Sequence, residues 1–170
     1  MRALRLPAGP RLALALALLC VLAACGYSTR RLADLDGARS VAVSTFSNLG
    51  FRRDLELRLT QAVIAEVRAR TTLAIDSPGR ADLVLSGRMQ ADEDVVTLDA
   101  DNNPVQKRLY GSLLVTVTDR RSGRVVRTFT ATGQAEFAPG RDGESLEGSA
   151  SDEWVRRVAI AVVQGLEGGF

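Results

Sequence analysis

Histidine is missing from this chain of 170 residues. It is the side chain that most often serves as a general base and as a metal ligand, because its ordinary pKa lies close to neutral pH. An enzyme made from this sequence would have to work with carboxylates, lysine or tyrosine alone. We therefore expect a protein that is not an enzyme and that carries no metal and no cofactor.

Cysteine is nearly missing as well, since Cys20 and Cys25 are the only two. Cys20 lies within an apolar stretch near the N-terminus and Cys25 directly follows it, and we expect the first to be removed and the second to be modified. No thiol would then remain for a disulfide or for a thiolate-ligated metal.

A strong excess of either charge is also lacking. The chain has 22 basic and 20 acidic residues, and three of the basic ones, Arg2, Arg5 and Arg11, belong to a segment that we expect to be removed. Nineteen bases then face 20 acids. Nucleic-acid binding, which needs a strongly basic surface, is not indicated.

An apolar run occupies residues 12–24, directly after the three arginines. Its 13 residues are too few for a transmembrane helix, which needs about 20. A basic segment followed by a short apolar segment is the layout of a secretory signal peptide. We expect residues 1–24 to be removed, which leaves 146 residues, enough for one domain with a substantial core.

The apolar run ends in Leu22, Ala23, Ala24 and Cys25, which resembles a bacterial lipobox. The resemblance implies cleavage before Cys25, a diacylglyceryl group on its thiol and an acyl chain on its new amine. Three acyl chains exceed the two signals that stable membrane anchoring requires. The alternative is an ordinary signal peptide with a cysteine there by chance. The residue after Cys25 is Gly26 and not Asp. By resemblance to the lipoprotein sorting rule, this implies that the protein is anchored at the periplasmic face of the outer membrane.

The remaining patterns predict four strands and two helices after a polar tether at residues 25–39. The predicted elements are a strand at 40–48, a helix at 53–70, a strand at 81–90 that could continue to 98, strands at 108–119 and 125–137, a loop at 138–150, and a helix at 151–166 that Ser149 or Ser151 could cap. The helix at 53–70 has an apolar stripe that recurs every four residues, namely Leu55, Leu59, Val63 and Val67.

This order, β-α-β-β-β-α, predicts an α+β fold for residues 40–170. A helix joins the first two strands, so they should be parallel, and short turns join the last three, so those should be antiparallel. The predicted architecture is a single domain with a four-stranded mixed sheet and two helices packed on one face.

Two groups of acidic residues are candidates for chemistry. Asp99, Asp101 and Asn103 resemble the start of a calcium loop, but Pro104 and Tyr110 occupy the positions that need Gly and Glu, so a turn is expected. The adjacent acids at residues 92–94 alternate between the faces of a strand, so a solvated edge is expected rather than a catalytic pair.

Basic residues crowd the turn between the last two strands, where Arg120, Arg121 and Arg124 lie within five positions. Lys107 and Arg108 begin the strand that leads to this turn. Arginine binds phosphates and carboxylates with a planar fork, so these residues are candidates for an anionic ligand or partner. The alternative is an ordinary solvated, charged turn.

In their order and spacing, these features resemble the lipopolysaccharide-assembly lipoprotein family, LptE. The segments that carry the resemblance are "AACGY" at the processing site, "VAVSTFSN", "LELRLTQAVIAEV", "ADLVLSGRM", and the final strands and helix. The resemblance implies an outer-membrane lipoprotein that lies inside the LptD barrel, helps that barrel assemble and passes lipopolysaccharide to the outer leaflet. It also implies no catalysed reaction, and contact with lipopolysaccharide through basic loop residues.

A second interpretation rests on the same N-terminus and the same first strand and helix. Ring-forming outer-membrane lipoproteins of curli or exopolysaccharide secretion systems also begin with a lipobox and a "VAV..F.N" strand. They assemble from copies of themselves, whereas the barrel plug would act as one copy beside LptD. A carbohydrate-acting enzyme would need a pair of acids in a cleft, and the sequence offers no strong pair.

Replacement of the predicted lipidation site tests the anchoring argument. Cys25→Ala should abolish incorporation of labelled palmitate and leave the precursor uncleaved, because the acylated thiol is what the lipoprotein signal peptidase requires. Cys20→Ala is the matched control and should be processed normally. Palmitate labelling that survives Cys25→Ala would contradict the assignment.

Overall fold

A computed structural model describes residues 35, 37–50, 54–139 and 143–168, which fall within the compact unit Leu32–Phe170. In these residues six strands and two helices follow one another. They are β1 (Ser40–Val43), β2 (Ser47–Asn48), α1 (Leu55–Arg70), β3 (Ala74–Ile75), β4 (Leu83–Leu98), β5 (Pro104–Asp119), β6 (Val125–Phe137) and α2 (Gly143–Leu166).

The strands form one mixed sheet in the order β3-β1-β4-β5-β6, with β2 also beside β4. β1 runs parallel to β4, with Val41 opposite Leu83, and β4, β5 and β6 form an antiparallel meander. The predicted α+β class and mixed sheet with two helices are confirmed. The predicted strand count of four is wrong, because the described part of the sheet has six strands.

The first predicted strand is in fact two short ones. Val43 lies opposite Leu85 and Ser47 opposite Arg88, so this segment has one residue more than its partner over the same span. The extra residue lets Phe46 turn into the core, where its side chain is 2% exposed and its N–H donates to Thr60 Oγ1 at 3.3 Å. β3 has only two residues, too few for a periodic pattern to reveal.

Helix α2 begins at Gly143, eight residues before the predicted start. Ser149 and Ser151 therefore lie inside the helix and do not cap it. The glycines and serines of this segment are poor helix formers, which made a loop the natural prediction. Ala150 and Ser151 are buried, so tertiary packing outweighs their weak propensity.

Both helices cover the same face of the sheet. The predicted apolar stripe of α1 is buried, and the largest buried side chain is that of Trp154 on α2. One apolar cluster joins these helices to the inward residues of the long strands, Leu85, Met89, Leu109, Leu113, Val115 and Val117. An ion pair between Arg58 and Asp152 links the two helices at the surface.

The long strands approach each other very closely at Gly111. A Cβ atom there would lie 2.2 Å from the carbonyl oxygen of Gln90 and 2.8 Å from Cα of Ala91. Directly opposite on β6, a Cβ on Gly133 would lie 2.7 Å from a methyl group of Val158. Only glycine fits at this pair, where strand meets strand and sheet meets helix.

Substitution of Gly111 tests this close approach. Gly111→Ala should lower the free energy of unfolding by about 1–3 kcal/mol, as overpacking does in a well-filled core. Gly148→Ala is the matched control: it lies within α2 with nothing within 4 Å of the added atom, so it should raise stability by up to about 1 kcal/mol. Urea unfolding measures both, and equal stability of Gly111→Ala and the wild type would contradict the close approach.

Candidate functional site

The predicted basic residues do not form one cluster. Lys107 and Arg108 lie near the start of β5, whereas Arg120, Arg121 and Arg124 follow its end. Twelve residues of extended strand separate Lys107 from Asp119, a distance of about 40 Å. The structure therefore holds two basic groups at opposite ends of a strand, and we call the second one, residues 120, 121 and 124, the basic turn.

Lys107 and Arg108 are paired with acids of the neighbouring strand. Lys107 Nζ lies 2.7 Å from Glu93 Oε1, and the guanidinium of Arg108 donates to both carboxylate oxygens of Asp94, at 3.2 and 2.6 Å. The bond to Asp94 raises the pKa of Arg108. These pairs give Glu93 and Asp94, two of the three adjacent acids at residues 92–94, a structural role in the β4–β5 pairing.

Hydrogen bonds within the basic turn fix its shape. Asp119 N–H donates to the carbonyl of Arg124, and Gly123 N–H donates to the carbonyl of Asp119, both at 2.9 Å. The carboxylate of Asp119 accepts bonds from the hydroxyl and the N–H of Ser122, which lower its pKa. Gly123 has φ 67°, a conformation that favours glycine.

The three arginines of the basic turn differ in their surroundings. Arg120 Nε donates to the carbonyl of Ala81 at 2.6 Å, which ties the turn to the start of β4. Arg121 is exposed, and after the hydrogen bonds that Asp82 and Asp119 accept, its charge adds a smaller lowering of the pKa of both carboxylates. Carboxylates therefore partly offset the positive charge of the turn.

A cavity of about 400 Å³ lies beside the basic turn, between β6, the start of β4 and the segment before β1. The bases Arg39 and Arg121 and the acids Asp82 and Asp119 line it. Asp82 Oδ2 accepts the N–H of Arg39 at 3.0 Å and the N–H and hydroxyl of Ser40 at 3.2 and 3.0 Å. The bond from Arg39 is the main cause that lowers the pKa of Asp82.

A larger groove of about 720 Å³ lies over the long strands, and reasoning from the sequence did not identify it. Six of its lining residues form two cross-strand rows on the sheet face that the helices leave open. One row is Gln90, Ser112 and Thr132, and the other is Asp92, Tyr110 and Gln134. We call these six residues the polar groove.

Other kinds of site are scarce in the described ranges. No group of three or more Asp, Glu, His or Cys side chains there is placed to hold a metal ion. The residues at 99–103 form the expected hairpin turn, in which Asp99 Oδ1 accepts the N–H of Asp101 at 2.8 Å and that of Asn103 at 2.9 Å. No helix of these ranges is long and apolar enough to cross a membrane. Cys25 lies outside the described residues.

Solved structures of bacterial lipoproteins share this fold. A minor lipoprotein from Acinetobacter baumannii is 9% identical with a TM-score of 0.59, and the match covers 76% of this chain and 93% of that one. The rare lipoprotein B from Shewanella oneidensis is 14% identical with a TM-score of 0.51, covering 75% and 94%. A PelC dodecamer from Paraburkholderia phytofirmans is 21% identical, covering 73% and 86%, but its TM-score of 0.47 is too low to carry an argument.

The two neighbours with TM-scores above 0.5 show the class of fold, that of a small α+β domain. The family model of lipopolysaccharide assembly, LptE, matches residues 38–164, which contain every described strand and most of α2. The chain therefore belongs to the LptE family of lipopolysaccharide-assembly lipoproteins, as the resemblance in the sequence indicated. No curated protein matches it by sequence.

Proposed function

We propose that this chain is an outer-membrane lipoprotein that plugs the LptD barrel, helps it assemble and assists the insertion of lipopolysaccharide into the outer leaflet. The observation that carries the proposal is the family match over residues 38–164. Membership of this family supports a role in lipopolysaccharide assembly, and the barrel is the partner that the family resemblance implies. The role is one of binding and positioning and requires no catalytic residue.

Anchoring through Cys25 on the periplasmic face is part of the proposal, with residues 1–24 as signal peptide. Leu35 is buried in the core, so the packed part of the chain begins no later than this residue. Ten residues lead from Cys25 to Leu35, and such a segment spans at most about 35 Å. A lipid on Cys25 would therefore keep the start of the domain close to the membrane surface.

The basic turn is the proposed contact for lipopolysaccharide phosphates or for acidic residues of the barrel. Its backbone is fixed by hydrogen bonds and its arginines are exposed at the end of the sheet, so a ligand can bind without disturbing the core. Lys107 and Arg108 are a second proposed contact. A phosphate there would have to compete with Glu93 and Asp94, which makes this contact the weaker of the two.

Recovery of the barrel tests the partnership. The tagged chain should co-purify from outer membranes with LptD in roughly equal amounts, and its depletion should lower the amount of correctly assembled barrel. A chain with Cys25→Ala should recover less LptD, because it would not reach the same membrane. Recovery of copies of this chain alone would contradict the role as a barrel plug and favour the alternative of a ring-forming lipoprotein.

Removal of charge from the basic turn tests the proposed contact. Replacement of Arg120, Arg121 and Arg124 with Gln should leave the fold intact, because exposed surface changes usually cost within about 0.5 kcal/mol each and the lost bond from Arg120 to the carbonyl of Ala81 should cost only about 1–2 kcal/mol. Binding of lipopolysaccharide should weaken and become less dependent on salt, since fewer charged contacts form. The control replaces Arg68, Arg70 and Arg156, which lie on the two helices, so it removes the same charge away from the basic turn and should leave binding unchanged. A folded basic-turn variant that binds as tightly as the wild type would exclude this contact.

A further inference from the structure

The polar groove lies on the sheet face opposite the helices, and its six side chains stand in a regular array. Gln90, Ser112 and Thr132 are direct cross-strand neighbours, and so are Asp92, Tyr110 and Gln134. Neighbouring strands are about 4.8 Å apart and alternate residues of one strand about 7 Å apart. The groove therefore offers six adjacent side chains over an area that suits a ligand made of a few linked rings.

Hydrogen-bonding capacity in this groove is largely unused. Within the described residues, Ser112, Thr132 and Gln134 have no hydrogen-bond partner for their side chains. Gln90 Nε2 donates to Asp92 Oδ2 at 2.9 Å, which leaves the amide oxygen of Gln90 and the second carboxylate oxygen of Asp92 available. Hydroxyl and amide side chains both donate and accept, which is the pattern that the hydroxyl groups of a sugar require.

An aromatic ring stands in the middle of the second row. Tyr110 is 40% exposed, and the guanidinium of Arg108 lies 5.7 Å from the centre of its ring. Arg108 is itself held by both oxygens of Asp94, so the ring has a fixed neighbour. An exposed aromatic ring offers an apolar surface beside polar groups, which suits the C–H groups of a sugar ring.

The surroundings of the groove disfavour two other kinds of ligand, a phosphate group and an acyl chain. Arg157 also lines the groove, but its Nε lies 2.6 Å from Glu153, and Arg108 is bound to Asp94. A phosphate would have to displace these carboxylates and would meet Asp92. An acyl chain would leave the hydroxyl and amide groups without partners, which costs free energy. A neutral ligand rich in hydroxyl groups would neither have to displace these carboxylates nor leave the hydroxyl and amide side chains without partners.

We propose that the polar groove binds neutral sugars in the saccharide portion of lipopolysaccharide. This inference rests on the proposed function for the source of the saccharide. It places the sugars about 25 Å from the basic turn, the distance from Ser112 to Arg120 along the extended strand. Sugar and phosphate would thus be held at separate places on one sheet.

Titration with saccharide alone tests the groove. The probe is the deacylated and dephosphorylated saccharide of lipopolysaccharide, added to the full chain in detergent. Binding should shift the backbone amide signals of Gly111 and Ser112 most strongly. Gln134→Ala should weaken binding about fivefold, as expected for lost hydrogen bonds, and Tyr110→Ala about tenfold through loss of the ring. Thr128→Ala, on the same face of β6 outside the groove, should bind like the wild type.

Several results would overturn the inference. These are no binding by the wild-type chain, unchanged binding by folded Gln134→Ala and Tyr110→Ala variants, or signal shifts confined to the basic turn. Equal binding of a linear glucose polymer would exclude lipopolysaccharide as the specific source. Co-purification of LptD, measured on the same variants, separates the two proposals. Retained LptD without saccharide binding contradicts the groove alone, whereas saccharide binding without LptD contradicts the plug alone.

Discussion

The register between β4 and β5 is the constraint on which the rest of this structure depends. Each strand has 16 residues, and together they carry every other strand except β3: β1 and β2 pair with β4, and β6 pairs with β5. A slip of one residue would move Leu109, Leu113 and Val117 from the core to the open face. The ion pairs of Lys107 with Glu93 and of Arg108 with Asp94 oppose such a slip. Charges that the sequence presents as candidates for ligand binding therefore help to hold the framework.

Both helices cover one face of the sheet. This face is buried, and we call it the dry side; the opposite face is open to solvent, and we call it the wet side. On the dry side, β6 also holds the end of α2, because Arg127 Nη1 donates to the carbonyls of Gly165 and Leu166 at 2.9 and 3.1 Å. Cationic groups at this end of a helix are favourable, since its last carbonyls lack partners within the helix. On the wet side, threonine, serine and glutamine alternate with the buried residues of the same strands. The two candidate binding regions, the polar groove and the basic turn, lie on or beside this wet side, where a ligand would not disturb packing.

Periodic elements could be predicted from the sequence, and irregular ones could not. The stripe of α1 and the alternation of β5 are visible because each repeats over several turns or pairs. β3 and the break between β1 and β2 depend on contacts with distant residues. Segments of two or three residues are too short for a local pattern to predict them. The early start of α2 was hidden by Gly143 and Gly148, whose weak propensity is overcome by burial of Ala150. The separation of Lys107 from Arg120 follows from the length of β5. The partner of Lys107, Glu93, lies on β4, and only the register between the two strands identifies it.

Parallel pairing of β1 with β4 has a consequence for the order of folding. The meander of β4, β5 and β6 is made of neighbours in sequence joined by short turns, and closing such loops costs little entropy. Val41 and Leu83, in contrast, are 42 residues apart. Contacts between distant residues form slowly because a long loop must close before they stabilise anything. The segment nearest to the proposed lipid on Cys25 should thus be the last to dock, and most of the domain should reach its native pairing before that end is held.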